Sequence, residues 1–260
     1  MRPPLAVATV ALLLLSAGCI GGSGTDRPPS DQHALDALDR ARAATDDVRT
    51  YRTSIDGRVE ASADDERVTF GLDGEVRVNA TARRMNATAS IVGLPTTGFS
   101  EDASTTYVDN YTAHIECTRI GWERQNLSQA EPWLTYTPIG QHLALLNRTN
   151  VYWRGTETVD GRNASVVVGY PTKADLEAVD VRSVGMTDQL EASNLENVTV
   201  TMWLDAATDR PIQVRRDVRG TQDGVSAHAN GTYRFEAFDE PTPVTEPEFG
   251  NVIWEGGCPG

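Results

Sequence analysis

The chain has 260 residues and a formal net charge of −14, and Lys173 is its only lysine. So acidic a protein repels nucleic acid and anionic lipid headgroups, which argues against DNA or RNA binding and against a basic membrane-surface helix. The length is compatible with one large antiparallel β domain.

The first segment is typical of an export signal. Arg2 precedes an apolar run that ends at Leu15 and is too short to span a bilayer as a helix. The sequence Ala17-Gly18-Cys19 then resembles the lipobox of bacterial and archaeal lipoproteins, although Ser16 replaces the usual aliphatic residue. We therefore predict a signal peptide over residues 1–18 and a lipid on Cys19, anchored at the outer face of the cytoplasmic membrane. The alternative is an ordinary signal peptide with an incidental cysteine.

Residues 19–30 are rich in Gly, Ser and Pro, which predicts a flexible tether. Ser30 is a candidate N-cap for an amphipathic helix over residues 31–48. Further helical segments are expected at residues 139–146 and, as a helical or irregular insertion, at residues 173–190.

Period-two alternation of apolar and polar residues dominates the rest of the chain and predicts an antiparallel sheet with one apolar face. In the run near residue 165, for example, Ala164, Val166 and Val168 are expected to face the core. Tight hairpin turns are expected at Asp-Gly pairs, namely residues 73–74, 160–161 and 223–224. The apolar face needs a cover, which the helices must supply.

The cysteines that remain after Cys19 are Cys117 and Cys258. In an exported protein an even number suggests a disulfide, here one that holds an irregular tail of residues 240–260 against the middle of the chain. Two free thiols are the alternative.

Asparagines are concentrated in the Asn-x-Ser/Thr pattern of glycosylation acceptors. We predict that several of these sites carry glycans, whereas the alternative is a Thr-rich β protein with unused sequons. The candidates are Asn79, Asn86, Asn110, Asn126, Asn147, Asn163, Asn197 and Asn230.

Several segments together resemble the LolA-like superfamily of lipoprotein carriers and sensor domains. They are residues 106–112, 121–124 and 155–161, and above all Trp203-Leu204-Asp205 followed by Thr208-Asp209-Arg210-Pro211. The resemblance covers about residues 31–239 and implies an α+β fold, mainly antiparallel β, in which helices pack on the concave face of a half-barrel. It also implies an apolar cavity between sheet and helices, although each candidate lining residue could instead be plain core. The candidates are Trp133, Leu143, Leu146, Val179, Met186, Leu190 and Trp203.

The acidic, lysine-poor composition additionally resembles that of haloarchaeal surface proteins, or else reflects an acidic face in a high-GC organism.

Motifs for chemistry are missing from the sequence. The histidines lack metal-ligand spacing, and there is no nucleophile elbow or phosphate-binding glycine loop. We therefore expect no metal, no cofactor and no enzymatic activity. The leading hypothesis is a membrane-anchored lipoprotein that binds or carries a lipid, and the alternative is a non-enzymatic sensor or interaction module with a filled core.

Overall fold

The computed structural model describes residues 27–63, 66–93, 103–117, 121–179, 194–222, 224–250, 253–255 and 258. The predicted signal peptide and Cys19 lie outside the described residues, and so do Met186 and Leu190.

The described residues form three α-helices, a 3-10 helix and twelve strands. The helices are α1 (Gln32–Asp46), the 3-10 helix (Trp133–Tyr136), α2 (Pro138–Arg148) and α3 (Lys173–Ala178). The strands are β1 (Thr50–Ala63), β2 (Glu66–Asn79), β3 (Arg84–Val92), β4 (Ser104–Asp109), β5 (Thr112–Cys117), β6 (Gly121–Asn126), β7 (Val151–Val159), β8 (Arg162–Gly169), β9 (Asn194–Asp205), β10 (Pro211–Gln222), β11 (Val225–Glu236) and β12 (Ile253–Glu255).

All twelve strands belong to one open sheet, in the order β12-β6-β5-β4-β3-β2-β1-β11-β10-β9-β8-β7. Sequential antiparallel neighbours build two wings, β1–β6 and β7–β11, which join where β1 pairs with β11. The added strand β12 runs parallel to β6 at one edge. The predicted fold class, an antiparallel half-barrel with helices on its concave face, is confirmed.

One face of the sheet, here called the inner face, packs against the helices, and the opposite face is called the outer face. Helix α1 presents a stripe of fully buried small and apolar side chains at helical spacing, including Ala34, Ala37 and Ala41. Small side chains allow the helix to approach the sheet closely. The N-cap of α1 is Asp31, whose carboxylate accepts a hydrogen bond from the backbone N–H of His33, and not Ser30 as the sequence suggested.

The Asp-Gly pairs behave differently from one another. Asp160 and Gly161 have φ values of 50° and 76° and close the β7–β8 hairpin as predicted. Asp73-Gly74, in contrast, lies inside β2, so the predicted turn there is wrong. A Cβ at position 74 would lie 2.9 Å from the carbonyl oxygen of Thr88 on β3, so glycine serves close strand packing at this point.

The C-terminal tail lies across the outer face before it reaches the sheet edge. It has no helix or strand over residues 237–250 and then forms β12, a short strand inside the range 240–260 for which the sequence suggested irregular structure. Cys258 is bonded to Cys117 at the end of β5, and this disulfide agrees with the prediction.

Candidate functional site on the inner face

The inner face has a covered half and a partly exposed half. Beneath α1 and α2 its side chains are fully buried, as at Tyr51, Val78 and Phe235. Farther along the same strands the apolar side chains are only half buried, and Val68 is 37% exposed to solvent. We call this second part the open strip; it consists of Val59, Val68, Phe70, Leu72, Ile91 and Val218.

Strand register makes the open strip continuous. Val59 lies opposite Phe70 on β2 and opposite Ala229 on β11, and Ala229 in turn lies opposite Val218 on β10. Leu72 lies opposite Ile91 on β3. Cross-strand neighbours of this kind touch, so the strip is an apolar surface that runs across at least four strands.

Three polar side chains lie near one another on the inner face, and we call His142, Arg216 and Tyr233 the inner polar cluster. Tyr233 is a diagonal neighbour of Arg216 across β10 and β11, and the ring of His142 lies beside that of Tyr233. Each has a buried polar atom for which the described residues supply no hydrogen-bond partner: His142 Nε2, Arg216 Nε and the Tyr233 hydroxyl. Because nearly all buried polar groups in native proteins are hydrogen-bonded, three such atoms in one region require an explanation.

His142 on α2 connects the helix to the cluster. Its ring lies 4.6 Å from the ring of Tyr233, and its Nδ1 lies 2.6 Å from the carbonyl oxygen of Pro138, to which it donates a hydrogen bond. Burial, reinforced by the positive charge of Arg216, lowers the pKa of His142 to about 3. The ring is therefore neutral, and its Nε2 lone pair is a hydrogen-bond acceptor.

Arg216 is placed on the inner face by its register. It lies between Val214 and Val218 along β10, opposite Gly231 on β11 and Val200 on β9. None of the carboxylates that the structure describes forms an ion pair with its guanidinium. The preceding residue, Arg215, is exposed on the outer face.

The alternation around Arg216 contained a signal that sequence analysis missed. Residues 214, 216 and 218 share one phase, and an arginine between two inward valines indicates a charge on the apolar face. This signal was overlooked because the chain has many surface arginines, and composition alone gives no reason to single out Arg216.

The predicted cavity-lining residues are divided between the core and the outer face. Trp133, Leu143, Leu146 and Val179 are all buried in the core between helices and sheet. Trp203, in contrast, lies on the outer face, where its indole N–H donates a hydrogen bond of 2.8 Å to Glu157.

The reason for the position of Trp203 is the phase of β8. Its partner there is Val166, and Val167 is the residue that reaches the inner core beside Met202. Ala164, Val166 and Val168 are buried on the outer face, contrary to the predicted orientation. Apolar residues on both faces make the phase of this strand ambiguous in the sequence.

The glycosylation candidates all lie at exposed or half-buried positions. The side-chain amide of Asn86 donates a 3.3 Å hydrogen bond to the carbonyl oxygen of Thr245 in the tail. Asn110 adopts a left-handed conformation, φ 55°, in the β4–β5 turn.

A separate open cavity of about 280 Å³ lies at the far ends of β1, β9, β10 and β11, mostly on the outer face. Its lining is mixed, with polar residues such as Glu60, Arg219 and His228 beside Ala61 and Ala227. His228 contacts Asp217 at 2.9 Å in a partly buried pair. No group of three or more metal-ligating side chains occurs among the described residues.

Comparison with known proteins gives a likeness of fold. No family model and no curated protein matches the chain. Among solved structures, the lipoprotein LppX of Mycobacterium tuberculosis is 16% identical with a TM-score of 0.46, covering 83% of this chain and 100% of its own. LprF of Mycobacterium bovis is 13% identical with a TM-score of 0.46, covering 86% and 100%. An outer membrane lipoprotein-sorting protein domain from Vibrio parahaemolyticus is 11% identical with a TM-score of 0.31, covering 78% and 94%. The likeness is one of fold alone.

Proposed function

We propose that this chain is an exported, lipid-anchored surface protein that binds the apolar part of a lipid against the open strip, without catalysing a reaction. The observation that carries the proposal is the contrast along the inner face, which is sealed by helices at one end and left apolar and half exposed at the other. Large continuous apolar surfaces of this kind are typical of ligand or interaction sites.

The energy for binding would come from burial of hydrocarbon. Each methylene group removed from water contributes about 0.8 kcal/mol, so a chain of ten to twelve carbons offers roughly 8–10 kcal/mol before the cost of ordering it. The open strip supplies side chains from β1, β2, β3 and β10, which is enough width for an extended chain to lie across the strands.

The predicted anchor belongs to the same proposal. Residues 20–30, fully extended, reach at most about 40 Å from a lipid on Cys19. The domain would then bind its ligand at or close to the membrane surface. No helix among the described residues is long and apolar enough to cross a bilayer. Replacing Cys19 with Ser should release the protein from the membrane fraction, and retention of this variant would contradict the anchor.

Lipid binding is tested with detergent-free protein, the neutral fluorophore 1-aminoanthracene and dodecanol as competitor. Phe70→Asp places a charge in the open strip and should weaken dodecanol binding by about tenfold or more. Thr69→Asp is the matched control, because the adjacent residue on β2 faces the other way. Equal affinities of the two variants, or no displacement in the unmodified protein, would refute the proposal. Native mass spectrometry of the same preparation should show co-purified lipid.

A further inference from the structure

We infer that the bound lipid carries an anionic headgroup, and that the guanidinium of Arg216 holds its charged oxygen at the border of the open strip. This inference rests on the lipid-binding function proposed above and narrows it to a class of ligand. It starts from the position of a single charge on an otherwise apolar face.

Register places Arg216 between the two halves of the inner face. The cross-strand row that contains Tyr233 and Val214 belongs to the buried core, and the row that contains Ala229 and Val218 belongs to the open strip. Arg216, opposite Gly231, occupies the row between them. A ligand whose chain lies on the open strip therefore has its polar end beside the guanidinium.

The charge of Arg216 has no counterpart in the described parts of the protein. Arginines of the outer face pair with carboxylates, as Arg77 does with Glu75 at 2.6 Å and Arg219 does with Asp217 at 3.8 Å. Arg216 has no such partner there; its side chain is half buried, and its Nε is buried without an acceptor among the described residues. Leaving a buried N–H group without an acceptor is costly, so an anion that supplies the missing acceptor gains correspondingly.

Tyr233 can contribute to the same contact. It is 1% exposed, and its hydroxyl group has no hydrogen-bond partner among the described residues. Tyr233 is a diagonal cross-strand neighbour of Arg216 and can add a donor to the same anion. His142 remains neutral, so its ring leaves Arg216 as the positive charge of the cluster.

Gly231, the direct cross-strand neighbour of Arg216, leaves room beside the guanidinium. A Cβ built on Gly231 would meet only the Tyr233 ring, at 3.8 Å. At Gly57, opposite Gly231 on β1, the strands pack more closely, and a Cβ would lie 3.3 Å from the Cβ of Leu72. The headgroup oxygen would therefore lie over Gly231.

The net charge of the protein makes the inference specific. At −14 the whole molecule repels anions, so a preference for an anionic lipid must come from a local contact. Added salt weakens the long-range repulsion, since the Debye length falls to about 3 Å at 1 M. Binding of an anionic lipid should therefore hold or improve with salt, whereas binding to a basic surface would weaken.

The test compares dodecanoate with dodecanol, which differ in headgroup charge and share the same chain length. Both compete against 1-aminoanthracene at about pH 8 and about 1 M KCl. The unmodified protein should bind dodecanoate about tenfold to a hundredfold more tightly than dodecanol. Arg216→Met should reverse this order, because the carboxylate then loses hydration without gaining a partner. Arg216→Lys should keep the preference for the acid, and Arg215→Met, on the outer face, should leave both affinities unchanged.

Each other result has a distinct meaning. If the unmodified protein binds dodecanol at least as tightly as dodecanoate, or if Arg216→Met keeps the preference for the acid, the headgroup assignment is overturned while lipid binding stands. If acetate alone displaces the probe as effectively as dodecanoate, the site takes a free anion and the assignment is overturned as well. If neither twelve-carbon ligand binds, the proposed function itself fails.

Discussion

The ring of Phe249 lies 4.3 Å from the ring of His114, so the C-terminal tail packs on the outer face of the first wing. Tyr107 and Trp122 complete an aromatic group around Phe249, at 6.0 and 5.1 Å. The tail continues into β12, which covers the edge of β6, and it ends at the Cys117–Cys258 disulfide. The edge strand on this side is therefore β12, which has three residues, and a very short edge strand offers little for edge-to-edge aggregation.

Replacing Phe249 with Ala should loosen this tail. The side chain is half buried, so we expect a loss of about 1–2 kcal/mol in the free energy of unfolding, less than for a fully buried phenylalanine. Limited proteolysis should cut residues 240–250 faster in the variant. Glu248→Ala, at the exposed neighbouring position, is the control and should behave like the unmodified protein. Unchanged cleavage in Phe249→Ala would show that the aromatic group does not hold the tail.

The disulfide should contribute more than the aromatic group. It closes a loop with a sequence separation of 141 residues, and loops of this length are stabilised by about 2–5 kcal/mol through the reduced entropy of the unfolded chain. The variant with Ser at positions 117 and 258 should lose that amount in urea unfolding. Adding a reductant should lower the stability of the unmodified protein to a similar level and leave the double variant unaffected. A reductant effect on both proteins would point to another cause.

The turn after β11 contains a pH-sensitive contact. Asp239 has φ 61°, accepts a 2.9 Å hydrogen bond from the backbone N–H of Arg49 and pairs with Arg210 at 2.8 Å. The hydrogen bond from Arg49 and, after it, that from Arg210 lower the pKa of this carboxyl below its ordinary value of 3.8. The folded state therefore favours the charged form, and the stabilisation is fully present above about pH 4 and disappears on further acidification.

Asp239→Asn should reduce the free energy of unfolding by about 1 kcal/mol near neutral pH, because a charge-assisted contact becomes a neutral one. Asparagine tolerates positive φ, so the backbone of the turn should remain intact. The difference between the two proteins should shrink as the pH falls through the pKa of the folded carboxyl. A difference that stays constant down to about pH 2 would assign the effect to packing and not to charge.

Much of the architecture follows from local rules in the sequence. Apolar residues at i, i+3 and i+4 predicted α1, and alternation predicted the antiparallel strands and their apolar face. The same rule failed on β8, where Val166, Val167 and Val168 are all buried and no single phase stands out. The turn predicted at Asp73-Gly74 was wrong for a related reason, because glycine occurs both in turns and where strands pack closely.

The candidate site was harder to predict because it depends on neighbours that are distant in sequence. His142, Arg216 and Tyr233 come from α2, β10 and β11, and only the folding of the sheet and the packing of α2 on it bring them together. The pairing of Cys117 with Cys258 was predictable because, once Cys19 is assigned to the lipid, the sequence offers one partner for each remaining thiol.

His142 should make stability depend on pH in the mildly acidic range. The pKa of its imidazole is about 3 in the folded protein, below the ordinary value of 6.5, because the ring is buried and faces the charge of Arg216. Below about pH 6.5 the unfolded chain takes up a proton that the folded ring does not, so acidification favours unfolding. The contribution of this residue is constant above that pH and falls by up to about 1.4 kcal/mol per pH unit toward pH 3.

His142→Asn should flatten this dependence. The asparagine amide can still donate to the carbonyl oxygen of Pro138, as Nδ1 does, and it does not titrate. Urea unfolding of both proteins from about pH 7 to about pH 4 should give a shallower slope for the variant. The pKa of His114 is also lowered by partial burial, but this effect is common to both proteins and cancels in the comparison. Parallel slopes would mean that the imidazole of His142 takes up its proton without unfolding, and therefore that it is not sealed inside the protein as the structure places it.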